Sequence, residues 1–584
     1  MSGSARGADA VVRALEDEGI PCTFGIPGTH NIELYDRLAE SDRVRPVLVT
    51  DEQSAGFMAD GLWRASGRLG CVNLVPGAGL THALSGIAEA FMDNVPMLVL
   101  GCGVRTDLDM AYQLHDIDQL AIVRPVTKAA FRVESGENLY DGIRHACALA
   151  RAGPAGPVMV EVPANLYLRP DHDPLRAEPA APLPEIPAFP LPGEWAYELE
   201  AAGQILERAR RPLLYVGLGA AGARSELLAL AELLEAPVAT TLQGKGVFPE
   251  SHPLAMWPGF GEAAPPFARR LAASCDATLA VGCRFGEVGT GSYGIRLPGP
   301  LIHVDIDPAV PGRNFPAEVA VVADACQFVA ALRRRLSDKR IAVGPDEGLR
   351  REISQGRERA RAELSRSTGT GVTPGLLLEV LQARLGPDVI WVADSGNGTF
   401  LAVELLQLDR PGRFLAPVDY SCMGYSVPAA VGAALGCPGT PVVALVGDGA
   451  FLMTGLEMLT AAAEKLPVAF VILRDGALAQ IAQFQRTAYN RGAASDLADF
   501  SVERIAEGIG LECRSVAGDA EVDSATTWLG QRIEAGRPAL LDVTIDYSRR
   551  TFFTRGVVRT NLGRLPWTDR VRFVARALRR RVTG

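Results

Sequence analysis

The chain has 584 residues and a mass of 62.0 kDa, is 48% hydrophobic and 22% charged, and carries a formal net charge of −10. That length corresponds to about three or four domains, and the composition is globular, which excludes a disordered or collagen-like chain. The acidic balance argues against a general affinity for nucleic acid. Ten cysteines without CxxC spacing exclude a disulfide framework or zinc knuckle and fit a reducing cytoplasm. No apolar run is long enough for a bilayer, and the first residues lack the apolar core of a signal peptide.

In chain order, residues 1–168 alternate short apolar runs (47–49, 97–100, 158–162) with longer helical patterns. Residues 169–193 hold eight prolines and read as an extended linker. The alternation resumes over 194–345, with runs at 213–216, 277–281 and 302–306. A charged stretch, 346–372, reads as a linker helix, and 373–550 repeats the pattern at 389–393, 442–446 and 468–473. Short buried runs separated by helices predict parallel sheets with βαβ crossovers, and so three doubly wound α/β domains. The basic tail, 551–584, closes the chain.

The most informative stretch is 442–485. One buried run ends in Gly447-Asp448-Gly449 and a second in Arg474-Asp475-Gly476, with 27 residues between the two aspartates. One βαβ unit has this length, so both carboxylates belong at the carboxyl ends of neighbouring parallel strands, where such sheets bind ligands. Two hard oxygen ligands suit Mg²⁺, which completes its shell with phosphates, carbonyls or water. The glycines let backbone approach a phosphate, and the following helix offers free N–H groups. The plainer reading of the same residues is a strand, turn and helix with Asp448 as the N-cap.

This pattern resembles the signature of thiamine-diphosphate enzymes, with Asp475 where that family usually has Asn. The resemblance implies Mg²⁺ ligands at Asp448, Asp475 and the Ala477 carbonyl, with Gly447, Gly449 and Ala450 along the diphosphate. Residues 50–64 are similar to the family's HEQxAxxMAxGxxR helix, with Asp51 replacing His. Glu52 then matches the activating glutamate, which would hydrogen-bond the pyrimidine nitrogen N1′ so that the ring's own amino nitrogen takes the thiazolium C2 proton. Met423 matches the apolar prop that folds one ring over the other. Gly25, Pro27 and Gly28 match a glycine-rich loop facing the thiazolium. Residues 77–82 resemble GPGxTN, with Ala78 and His82 replacing Pro and Asn.

The middle segment is similar to acetolactate synthases in Thr240 to Pro249, Gly282 to Gly286 and His303 to Pro308. Flavin-containing members hold FAD there. Gly286-Glu287-Val288 departs from their RFDDR pattern and loses an arginine, which leaves FAD open. Gly217 to Gly222 fits GxGxxG, readable as a nucleotide turn or simply a tight turn. Tyr112-Gln113 matches a Phe-Gln pair in the substrate site, making Gln113 a catalytic candidate beside Glu52; His115 has no counterpart. Gln480 and Phe484 are pocket candidates, Phe484 standing where acetohydroxyacid synthases carry Trp.

The resemblance implies a cytoplasmic enzyme that decarboxylates a 2-keto acid, pyruvate first, and ligates the remainder to a second carbonyl compound. A non-ligating decarboxylase, an FAD-containing pyruvate-oxidase-like enzyme and a non-catalytic relative are the rivals. It also implies a homodimer or homotetramer, with Glu52 facing the partner's diphosphate site. In the tail, Val571, Val574, Leu578 and Val582 recur at helical spacing among arginines. That predicts a basic amphipathic helix docked on its own protein, with contact of 566–584 with a membrane surface as the second reading.

Overall fold

A computed structural model describes residues 6–168, 183–186, 192–338, 344–569, 571, 572 and 575. It contains three six-stranded parallel sheets with flanking helices. The first comprises β1 (Cys22–Gly25), β2 (Arg45–Leu48), β3 (Gly70–Leu74), β4 (Met97–Gly103), β5 (Ala129–Arg132) and β6 (Pro157–Pro163). The second comprises β7 (Pro212–Val216), β8 (Val238–Thr240), β9 (Ala255–Pro258), β10 (Ala277–Val281), β11 (Leu301–Asp305) and β12 (Val319–Val322). The third comprises β13 (Ile390–Ala393), β14 (Phe414–Leu415), β15 (Val442–Gly447), β16 (Val468–Arg474), β17 (Glu512–Val516) and β18 (Ala539–Thr544).

The first and third sheets share one topology, β2-β1-β3-β4-β6-β5 and β14-β13-β15-β16-β18-β17. The middle sheet runs β12-β11-β10-β7-β8-β9, the order of dinucleotide-binding sheets. β3, β4 and β6 are buried at every position, as a strand covered by helices on both faces must be. The three α/β domains expected from the alternation of runs are present.

One helix contact joins the first and third domains. The helix Glu52–Ser66 starts at Asp51, whose carboxylate accepts from the Gln53 amide at 2.9 Å, and ends at Gly67 in the left-handed region (φ 71°). It crosses the helix Ser426–Gly436 so closely that a β-carbon on Gly61 would lie 2.1 Å from the Ala429 carbonyl oxygen. A β-carbon on Gly432 would lie 2.0 Å from that of Met58. Beside this crossing, Tyr425 donates to Asp60, and Arg64 bridges Asp60 and Asp93 at 2.7 and 2.8 Å. One apolar cluster therefore runs from Val72 and Met97 through Met58 and Leu62 to Val431 and Phe470.

Lys245 fastens the middle domain to the third. Its buried ammonium pairs with Glu250 at 2.7 Å and donates to the carbonyls of Val403 and Leu406. The helix Phe552–Arg564 docks on the same region. The Glu404 carboxylate accepts from the Phe552 and Phe553 amides at its N-terminus. Arg555 pairs with Glu363 and Arg559 with Glu262. Farther along the tail, Val571 is exposed, while Val574, Leu578 and Val582 lie outside the described residues. No described helix is long and apolar enough to cross a membrane.

Candidate active site

β15 and β16 pair in register up to Gly447 opposite Leu473, so Asp448 and Asp475 emerge side by side from adjacent strand ends. The Asp448 carboxylate ties those ends together. One oxygen accepts from the Gly449 amide at 2.9 Å, and the other from the Asp475 and Gly476 amides at 3.2 and 2.8 Å. Burial raises the Asp448 carboxyl above its ordinary value despite these bonds. Burial and the neighbouring Asp448 push Asp475 up to about 6. Among the described residues neither carboxylate has an ion-pair partner, so the pair is an electrostatic deficit that a dication would fill.

A cavity of about 120 Å³ opens there, lined by Met423, Gly447, Asp448, Gly449, Ala450, Asp475, Ala477 and Gln480. The Met423 methyl group stands 3.3 Å from where a β-carbon on Gly449 would be. Ser395, Gly396, Asn397 and Gly398 complete the wall. Gly396 has φ 137°, and nothing lies within 4 Å of a β-carbon there, so backbone faces open space at the start of the helix Asn397–Leu405. The buried Asn397 amide oxygen has no partner at the same wall. Paired carboxylates, a free amide and bare backbone at helix starts fit a diphosphate with its metal ion.

Sequence reasoning missed Asp394 to Gly398. Asp394 accepts from the amides of Ser395, Gly424 and Ser426 and from the Ser426 hydroxyl, all at 2.8–2.9 Å. It thereby holds the turn that follows Met423, although burial pushes its carboxyl up to about 6. The available signal was two closely spaced glycines directly after a buried strand.

A second cavity, about 170 Å³, shares Ser395, Gly396 and Gln480 with the first. Phe484 lines it, and so do Glu287 and Val288, the residues that depart from RFDDR. Two motif departures thus meet in one pocket.

The first-domain candidates gather at the carboxyl ends of β1, β2 and β3. The Gly25–Gly28 turn is held by Asn31, whose side chain accepts from the Gly28 amide at 2.8 Å. Gly28 and Gly79 both abut Val75, and a β-carbon on Gly79 would lie 3.2 Å from a Glu52 carboxylate oxygen. Glu52 is 8% exposed and approaches His82 at 3.4 Å. Gln113 lies on the loop after β4, its amide donating to the Arg105 carbonyl at 2.9 Å. No first-domain residue lines either cavity beside Asp448, so one chain presents two separate half-sites.

A third cavity, about 380 Å³, lies at the carboxyl ends of β7, β10 and β11. Gly217 and Gly219 press against Gly282 there, a close backbone approach that accounts for the glycines as a tight turn. Arg284 on its wall pairs with Asp419 of the third domain.

Family models match all three domains: the N-terminal TPP binding domain of thiamine pyrophosphate enzymes over 5–122, their central domain over 199–332, and their C-terminal TPP binding domain over 394–543. A probable acetolactate synthase large subunit of Methanocaldococcus jannaschii is 31% identical over 560 residues, 93% of this chain and 92% of that one. The chain belongs to the thiamine pyrophosphate enzyme family, in its acetolactate-synthase-like group. Within that family it is also 31% identical to acetolactate synthase isozyme 3 large subunit of Escherichia coli, covering 94% of this chain and 96% of that one. The acetolactate synthase large subunit of Corynebacterium glutamicum is 34% identical over 83% of this chain and 77% of its own.

Proposed function

We propose that this enzyme decarboxylates a 2-keto acid, pyruvate in the first instance, and joins the remainder to a second carbonyl compound. The observation that carries the reading is the Asp448 carboxylate tying two strand ends together with Asp475 unpaired beside it. Asp448, Asp475 and the Ala477 carbonyl would hold Mg²⁺, and Gly447, Gly449 and Ala450 would lie along the diphosphate. Bound thiamine diphosphate supplies the electron sink into which the keto acid loses CO₂. Glu52 holds a proton at the pyrimidine edge. Gly25, Pro27 and Gly28 would present backbone to the thiazolium, and Met423 would pack against the cofactor as its apolar prop. Gln113, Gln480 and Phe484 line the substrate space. Glu52→Gln should lower kcat by about 10²–10⁴-fold, the usual worth of a proton-transfer partner; unchanged turnover overturns the role.

Two half-sites per chain call for a second copy. Leu452, Met453 and Leu456 lie exposed just beyond Asp448, and Met110, Tyr112 and Leu114 are exposed on the loop carrying Gln113. Apolar side chains beside both half-sites support a homodimer in which Glu52 faces the partner's diphosphate site.

The pocket shared by Phe484, Glu287 and Val288 favours a second reading, decarboxylation without ligation, because the departures fall where an acceptor would bind. Pyruvate turnover with CO₂ and acetolactate quantified together separates the two. One acetolactate per CO₂ carries the ligase, and CO₂ alone carries the decarboxylase. No CO₂ rejects pyruvate as the donor. A flavin-containing reading requires FAD in the central cavity and a yellow purified protein.

A further inference from the structure

We propose that Asp51, Glu52 and His82 form a second metal site, one that takes a transition-metal dication such as Zn²⁺. The three side chains come from two elements: the N-cap and first residue of the helix Glu52–Ser66, and the first turns of the helix Ala78–Met92. One ligand atom from each lies within 4.8 Å of the other two. Glu52 is the buried member, and a β-carbon on Gly79 would lie 3.2 Å from its carboxylate oxygen. Asp51 spends one oxygen on the Gln53 amide and keeps the other. The His82 side chain is 66% exposed and its Nδ1 already lies 3.4 Å from Glu52, so Asp51 and His82 would close on an ion by rotation about their side-chain bonds. Among the described residues none of the three pairs with a lysine or arginine, leaving two carboxylates beside one imidazole without compensation.

Two motif departures, 30 residues or more apart in sequence, meet at this point. His at position 51 and Asn at position 82, the residues of the related motifs, would leave Glu52 the sole carboxylate. The pair found here supplies the mixed oxygen and nitrogen set that distinguishes Zn²⁺ from Mg²⁺: imidazole suits zinc, while magnesium keeps to oxygen. Three protein ligands leave one tetrahedral position for water. An ion here would engage the Glu52 carboxylate and withdraw it from any other partner, so Zn²⁺ becomes an inhibitor acting on the first-domain half-site.

The site does not depend on the proposed reaction, and its test uses binding alone. Cofactor-free full-length protein in excess Mg²⁺ is titrated with Zn²⁺ in a calorimeter, as wild type and as His82→Asn, Asp51→Asn and Asp475→Asn, each checked for an unchanged melting profile. The wild type should take one Zn²⁺ per chain. His82→Asn and Asp51→Asn should each weaken it by about 100-fold, the upper end of what loss of even an outer-sphere partner costs. Asp475→Asn should leave it intact. Absence of Zn²⁺ uptake by the wild type, wild-type affinity in both site variants, or loss in Asp475→Asn overturns the proposal.

Discussion

Asp448 and Asp475 look interchangeable in sequence but are unequal in the fold. Three main-chain amides already serve Asp448, whereas Asp475 meets burial and a like charge with little relief. Its folded value of about 6 lies above the ordinary 3.8, so the folded protein prefers the protonated form. In the metal-free protein the resulting penalty is absent below about pH 4, grows as pH rises to about 6, and is constant above. Thermal midpoints of metal-free protein should therefore fall across that window, and Asp475→Asn should flatten the fall. Mg²⁺ with thiamine diphosphate should flatten it too. Asp394 makes the opposite point about legibility. The GDG motif could be read because its residues are contiguous and its partner lies one βαβ unit away. Asp394 acts on Gly424 and Ser426, about 30 residues distant, through strand-end proximity that no local pattern encodes. Asp394→Ala should cost about 1–3 kcal/mol by stranding buried donors, seen as a lower melting midpoint.

At the level of elements, nine of the eighteen described strands were legible as apolar runs, most of them because a parallel strand buried on both faces leaves an unbroken run. Their order was not: equal apolar runs serve both the topology shared by the first and third sheets and the dinucleotide-binding order of the middle one. The helix crossing was hidden as well. Gly61 belongs to a motif that resembles a cofactor helix, yet its lack of a side chain is what admits the Ala429 carbonyl. Gly61→Ala and Gly432→Ala should each destabilise the protein by about 1–3 kcal/mol or more, since backbone rather than a movable side chain stands in the way. Urea unfolding followed by tryptophan fluorescence would measure it; Trp63 sits on the affected helix.

Across the whole molecule, three domains are pinned into one body by Lys245, by the Tyr425 bond to Asp60 and by the docked helix Phe552–Arg564, yet the two half-sites stay apart. In the proposed dimer, Leu456→Arg places a charge on an exposed apolar surface beside the diphosphate half-site. It should weaken self-association by about tenfold or more, read by light scattering, with cofactor affinity falling in parallel. The separation of Glu52 from Asp448 also has a genetic consequence. A Glu52→Gln chain damages only the site to which it lends its first domain, and an Asp448→Asn chain only the site to which it lends its third. Two dead parents co-expressed in equal amounts would then pair at random, half of the dimers would be mixed, and each mixed dimer would own one undamaged site. About one quarter of wild-type turnover should reappear from two inactive alleles.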